Sequence, residues 1–252
     1  MIKRSWLKWC FTAFFVLAIS PAKAEQELEV LTENWAPFNY EKDQKVTGYS
    51  TEIVEAVLAE AKIPYKIRLG VWKGVYLRAL DTPNVLIYTI TRTADREDKF
   101  HWIGPIADRK QSLYKLKTRS DIQATELEHV KNYRLVLQEE DAIVTFFLDR
   151  GFTEDSPNFN LFPKKVKGLK MLYADRVDII PAHPLSIKHD LTTQGYDPQE
   201  VIRVLDLDVG GAYYMAFSKG SDKALISKTQ SAFDRLQKNG TIQAIRASYS
   251  FD

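Results

Sequence analysis

One cysteine, Cys10, stands in 252 residues, so neither an intrachain disulfide nor a thiol pair for metal or redox work can form. Histidine is almost as scarce, and His101, His129, His183 and His189 show no metal-ligand spacing. The 11 glycines build no Gly-x-Gly-x-x-Gly, no phosphate loop and no Gly-x-Ser-x-Gly elbow, which removes the usual signals of dinucleotide, nucleotide and serine-hydrolase sites. Neither an internal repeat nor a low-complexity tract is present. With 35 basic against 33 acidic residues, the net charge of +2 gives no field for nucleic acid or anionic membrane.

Long apolar runs are also missing. The stretch Cys10–Ile19 has ten residues, short of the roughly 18 needed to span a bilayer. Lys3, Arg4 and Lys8 precede it and Ser20-Pro21-Ala22-Lys23-Ala24 follow it, the pattern of a secretory signal peptide over residues 1–24, cut after Ala24. Cleavage would remove Cys10 and four positive charges with no negative one, leaving 228 residues of net charge −2. That length suits one large domain or two lobes of about 110 residues.

The remaining chain alternates strand and helix signals. Leu28–Thr32 reads as a strand, Glu33–Phe38 as a loop with a proline stop, and Gly48 and Ser50 open a helix with Ile53, Val54, Val57, Leu58 and Ala61 on one face. Tyr65–Leu69 alternates as a strand and Trp72–Leu80 as a helix. Val85–Tyr88 is a continuous apolar run, hence a strand covered on both faces. This order predicts a mainly parallel, right-handed sheet. A second α/β run follows a polar linker, with strands at 133–137, 177–180 and 201–205 and helices at 141–148, 168–173 and 186–191. A last helix, 221–239, stops at Gly240. Extended crossings near 112–117 and 210–218 predict lobes at 25–115 with 211–252, and at 116–210, around a cleft where hinge closure traps a ligand.

The most informative stretch begins where the apolar strand ends. Thr91-Arg92-Thr93-Ala94-Asp95-Arg96 leads through His101-Trp102 to Gly104-Pro105. Hydroxyls, loop N–H groups and a guanidinium just outside a strand's carboxyl end can seat a carboxylate. On composition alone, Arg96 in Asp95-Arg96-Glu97-Asp98-Lys99 also fits a solvated charged loop.

With this motif, the Trp35-Ala36-Pro37-Phe38 loop, Gly48-Tyr49 before the first helix, Arg176-Val177-Asp178 and the Ala212–Lys219 return, the chain resembles the family 3 extracellular solute-binding proteins over residues 27–250. The group includes the polar amino acid binding components of ABC importers. The resemblance implies an α/β, two-lobed type II periplasmic-binding fold, each lobe a mainly parallel sheet flanked by helices and joined by two crossover strands. It also implies a periplasmic monomer with no catalytic activity, no cofactor and no nucleic acid partner. Its partners would be a small molecule and an ABC permease or a membrane receptor.

By motif, Thr91 and Arg96 match the residues that hold a ligand α-carboxylate, and Trp35 and Trp72 match aromatics against the ligand side chain; core packing fits both tryptophans almost as well. Glu33, at the end of the first strand, can receive an ammonium or stand solvated in its loop. The second lobe departs from the pattern. The usual Gly-Thr or Gly-Ser pair is replaced by Gln138-Glu139-Glu140-Asp141-Ala142, and His183 occupies the place of the aspartate that takes an α-amino group. A basic amino acid or amine would explain Glu139, Glu140 and Asp141, as would a solvated helix cap, which is the favoured reading. A ligand sensor and a cyclohexadienyl dehydratase-like enzyme are the alternative functions of the same cleft.

Overall fold

The apolar run at 85–88 extends to Thr91, and each of its seven residues is buried, because the strand lies third in a five-stranded sheet with a helical layer on either face. In the computed structural model, which describes residues 27–162 and 168–249, the chain runs β1 (Leu28–Glu33), a hairpin of β2 (Tyr40–Lys42) and β3 (Lys45–Thr47), α1 (Tyr49–Glu60), β4 (Tyr65–Gly70), α2 (Trp72–Asp81), β5 (Val85–Thr91), a 3₁₀ turn (Ala94–Lys99) and β6 (Phe100–Asp108). It continues through β7 (Gln111–Leu116), α3 (Leu127–Val130), β8 (Leu135–Gln138), α4 (Ala142–Leu148), β9 (Phe159–Phe162), α5 (Gly168–Tyr173), β10 (Ile180–Ala182), α6 (Pro184–Gln194) and β11 (Val201–Leu207). It closes with β12 (Ala212–Ser218), α7 (Lys223–Lys238) and α8 (Thr241–Ser248). The signal-peptide expectation and Cys10 fall outside the described residues.

The first sheet has the order β4-β1-β5-β12-β6. Its first three strands are parallel, as βαβ connections require, while β12 runs antiparallel to both of its neighbours, β5 and β6. One face of this sheet packs Ile53, Val54, Val57 and Leu58 of α1 and Ala232, Phe233 and Leu236 of α7 against Val30, Leu86 and Tyr88. The other packs Val75, Tyr76 and Ala79 of α2 against Leu31, Ile87 and Ile90. Alternation along the strands thus assigns successive residues to the two cores.

The second lobe is less regular than the expected mainly parallel sheet. Its three-stranded sheet, β10-β7-β11, is antiparallel throughout, and a separate parallel pair, β8-β9, completes it. The reason is connectivity: β7 is itself one of the crossings and enters against the direction of β10 and β11. Residues 111–115, expected in the first lobe, pair with β10 and β11 of the second sheet. The chain changes sheets at 109–110, and returns between Leu207 and Ala212 through Gly210 and Gly211, both at positive φ. The Arg109 guanidinium bridges these two passages by donating to the Val209 carbonyl at 2.8 Å.

Asp178, the end of the Arg-Val-Asp signal, is a structural tie. Its carboxylate is buried and accepts from Arg119 Nη1 at 2.7 Å and from Arg134 N, Nε and Nη2 at 2.8–2.9 Å. The Arg134 side chain holds the carboxyl well below its ordinary range, more than offsetting desolvation. Because the folded pKa lies below the unfolded value, this stabilisation is complete above about pH 4 and fades as pH falls through the folded pKa. Asp178→Ala removes the buried acceptor that Arg119 and Arg134 share, while Asp121 and Asp175 still pair with them, and is expected to lower stability by about 1–3 kcal/mol in a denaturant titration at pH 7.

Candidate functional site

The carboxyl ends of β1, β5, β8 and β10 converge on a cavity of about 170 Å³ between the two sheets, where open α/β sheets bind their ligands. The volume is near that of a ~150 Å³ site able to hold benzene, so the space suits an amino-acid-sized molecule. All seven residues singled out from the sequence line it: Glu33, Trp35, Trp72, Thr91, Arg96, Asp141 and His183. The polar lining residues outside that set are Thr89, Gln111, Gln138, Ser186, Asp190 and Tyr213.

Arg96 is only 5% exposed because the 3₁₀ turn after β5 folds it back under α2. Its guanidinium lies 5.0 Å from the Tyr76 ring and 6.0 Å from the Trp72 ring, within cation–π range. One Nη donates weakly to the Thr91 carbonyl at 3.4 Å and the other donates to the Glu140 carbonyl. Three of its five N–H groups remain for a ligand. Arg92 lies elsewhere: its guanidinium pairs with Glu97 and covers the Trp102 and Tyr214 rings at 5.8 and 5.5 Å. It does not line the cavity.

The segment without glycine proves to be the meeting point of the lobes. Glu140 takes φ +63°, the conformation glycine adopts without strain, and its carbonyl thereby turns toward the first lobe. There it accepts from Trp72 Nε1 at 2.9 Å as well as from Arg96. Glu139 pairs with Lys73 at 2.5 Å, a partly exposed contact of small energetic weight. Gln138 Nε2 donates to Glu33 at 3.2 Å. Asp141 accepts from Ile143 N at 3.0 Å and caps α4, so the helix-cap reading holds for this residue while its charge still faces the cavity.

His183 also caps a helix. Its Nδ1 accepts from Leu185 N at 3.1 Å at the start of α6, with Pro184 in the first turn, and its ring packs on Phe38 and Trp35 at centroid distances of 4.9 and 6.2 Å. Burial, aided by Lys110, pushes its pKa down to about 4, so the ring is neutral at pH 7 and cannot replace an aspartate as a partner for an ammonium. Among the described lining residues, the carboxylates of Glu33, Asp141 and Asp190 thus face one guanidinium, that of Arg96.

Thr89 departs furthest from local preference. It is β-branched, lies inside β5 and has φ +60°, opposite the register shift between Tyr214 and Met215 in β12. The bulge turns its side chain toward the cavity, and strained backbone of this kind concentrates at functional sites.

The depressed His183 pKa has a signed consequence. The unfolded histidine titrates near 6.5, so stability is complete above that pH and declines as pH falls toward 4. Between pH 7 and pH 5 the loss should be about 2 kcal/mol. His183→Asn, which keeps a capping oxygen, should remove that part of the pH dependence in denaturant titrations; an unchanged slope would show that His183 is not its source.

The sequence profile described as bacterial extracellular solute-binding proteins, family 3, matches residues 28–252. Solved structures similar to the chain include a histidine kinase sensor domain with similarity to periplasmic binding proteins, at TM-score 0.80 and 17% identity over 90% of this chain and 97% of that one. An ancestral arginine-binding protein bound to arginine is similar at TM-score 0.77 and 17% identity, with 89% and 98% covered. The arginine-, lysine-, histidine-binding protein ArtJ from the thermophilic bacterium Geobacillus stearothermophilus is similar at TM-score 0.74 and 17% identity, with 90% and 96% covered. These likenesses give the periplasmic-binding fold. The chain belongs to the bacterial extracellular solute-binding proteins, family 3.

Proposed function

We propose that this family 3 member binds a small cationic, amino-acid-like solute between its lobes, without turnover, and delivers it to an ABC importer. The carrying observation is the charge of the cavity: Glu33, Asp141 and Asp190 against Arg96, with His183 neutral. A ligand that is cationic at its side chain and anionic at a carboxylate matches both signs, with the carboxylate on Arg96 and Thr91 and the aromatic walls of Trp35 and Trp72 along its stem. The arginine bound by one similar protein, and the arginine, lysine and histidine named for another, are in keeping with this class. The proposed lobes are those of the sequence reading, with the first change of lobe moved to residues 109–110, where strand pairing switches sheets. Export through a signal peptide cut after Ala24 would place the chain in the periplasm as a monomer.

Binding without turnover is favoured by the state of the titratable groups. His183 spends its acceptor nitrogen on Leu185 N, leaving it without the lone pair a general base needs. A second reading is favoured by the sensor-domain likeness: the same binding event could report to a membrane receptor rather than feed a permease.

A thermal-shift series with L-arginine, L-lysine, agmatine and L-glutamate tests the class, since a solute bound only by the folded chain raises its melting point. Cationic members should raise it and L-glutamate should not; a shift by L-glutamate alone would reverse the charge assignment. Arg96→Ala should weaken L-arginine binding at least tenfold, as expected for loss of a charge-assisted bond. Arg92→Ala, already paired to Glu97 outside the cavity, should leave calorimetric affinity within about twofold. Equal effects of the two substitutions would remove Arg96 from the site.

A further inference from the structure

The titratable groups of the cavity are largely engaged within the protein, whereas several non-titrating polar ones are not. Arg96 reaches Glu140, Asp141 caps α4, His183 caps α6 and Glu33 accepts from Gln138. By contrast, Thr89 Oγ1, Gln111 Oε1 and Ser186 Oγ are buried and have no hydrogen-bond partner among the described residues, although all three residues line this cavity. Thr89 and Ser186 are 8% and 5% exposed, too deep for bulk water to compensate them. Buried polar atoms are generally paired, because leaving one unpaired forfeits its hydration; of the eight unpaired side-chain atoms among the described residues, these three belong to residues lining the one cavity. Three such atoms around one space, one of them on the strained Thr89 backbone, mark a place where pairing is completed by something else.

We infer that Thr89, Gln111 and Ser186 are specificity-determining residues that hydrogen-bond the bound solute, and that the solute presents at least one N–H or O–H donor to the Gln111 carboxamide oxygen. The chemistry of the three atoms sets that requirement. A carboxamide oxygen only accepts, whereas the two hydroxyls can accept or donate. A ligand with several N–H donors, such as a guanidinium or ammonium compound, satisfies all three, and one with acceptors alone leaves the Gln111 carboxamide oxygen unpaired. The three residues come from different places: Thr89 from β5 in the first lobe, Gln111 from the start of the crossing strand β7, and Ser186 from α6 in the second lobe. A solute bonded to all three bridges the lobes and the crossing, so reading the solute and holding the lobes together are the same contacts. This assignment rests on the solute-binding reading above.

Groups reserved for a ligand have an opposite signature to structural ones. In the ligand-free chain, an apolar replacement removes an unpaired polar atom and is neutral or stabilising, while in the complex it removes a bond. Ser186→Ala and Gln111→Leu, made in the full exported chain, should therefore keep or raise the ligand-free melting point and weaken L-arginine binding about tenfold each by calorimetry. A ligand-free melting point lowered by more than about 3 °C in both variants would overturn the inference, since it would show that these atoms are already paired, by water or by the protein. Retained melting points with unchanged affinity would overturn it as well. If wild type does not bind L-arginine, the cationic-solute reading fails, and the ligand-free melting points alone decide: raised in both variants supports reserved ligand contacts, and lowered in both contradicts them.

Discussion

A single backbone carbonyl, that of Glu140, joins the two halves of the site. It accepts from the Trp72 indole and the Arg96 guanidinium, one neutral and one charge-assisted bond, together on the order of 2–4 kcal/mol. Both donors belong to the first lobe and the acceptor to the second, so the pair fixes the width of the cavity and the orientation of its only described guanidinium. The carbonyl points across the cleft because Glu140 is held at φ +63°, next to Asp141 at the cap of α4. Without that backbone turn, Trp72 and Arg96 would still line the first lobe but lose their shared acceptor in the second, leaving Lys73–Glu139, Gln138–Glu33 and the packing of His183 on Phe38 and Trp35 to register the two.

Around this contact the cavity divides into groups that hold and groups that read. Arg96, Asp141, His183 and Glu33 all spend part of their hydrogen-bonding capacity inside the protein, and in doing so cap helices or tie the lobes. The charges of Arg96, Asp141 and Glu33 still set the field inside the cavity. Thr89, Gln111 and Ser186 contribute no charge and have unspent oxygens. On the proposed reading, electrostatics selects the class of solute and neutral hydrogen bonds select within the class.

Much of the fold was legible because it is written in periodicity. The all-buried β5, the apolar face of α1 and the long α7 follow from runs and 3.6-residue spacing. What was missed depends on contacts between distant segments. The parallel expectation for the second lobe failed because a crossing strand, β7, was counted with the first lobe, and periodicity does not say which sheet a strand joins. The seven candidate residues do meet around one cavity, yet Gln111 and Ser186 were missed because a glutamine or serine in an amphipathic element carries no signal of its own. The Glu140 contact is less legible still, since it uses a main-chain carbonyl and a left-handed glutamate where the family's pattern favours glycine.

Membership of the solute-binding family and the geometry at Glu140 together make a strong claim about motion: a solute should draw the lobes together by favouring the conformer in which Glu140 meets Trp72 and Arg96. Small-angle X-ray scattering across an L-arginine titration tests it most directly. The account predicts a saturable fall in the radius of gyration, lost in Trp72→Phe combined with Arg96→Ala. Saturable binding of L-arginine with an unchanged radius would contradict closure on the solute, and no saturable response of any kind would contradict the cationic-solute site itself.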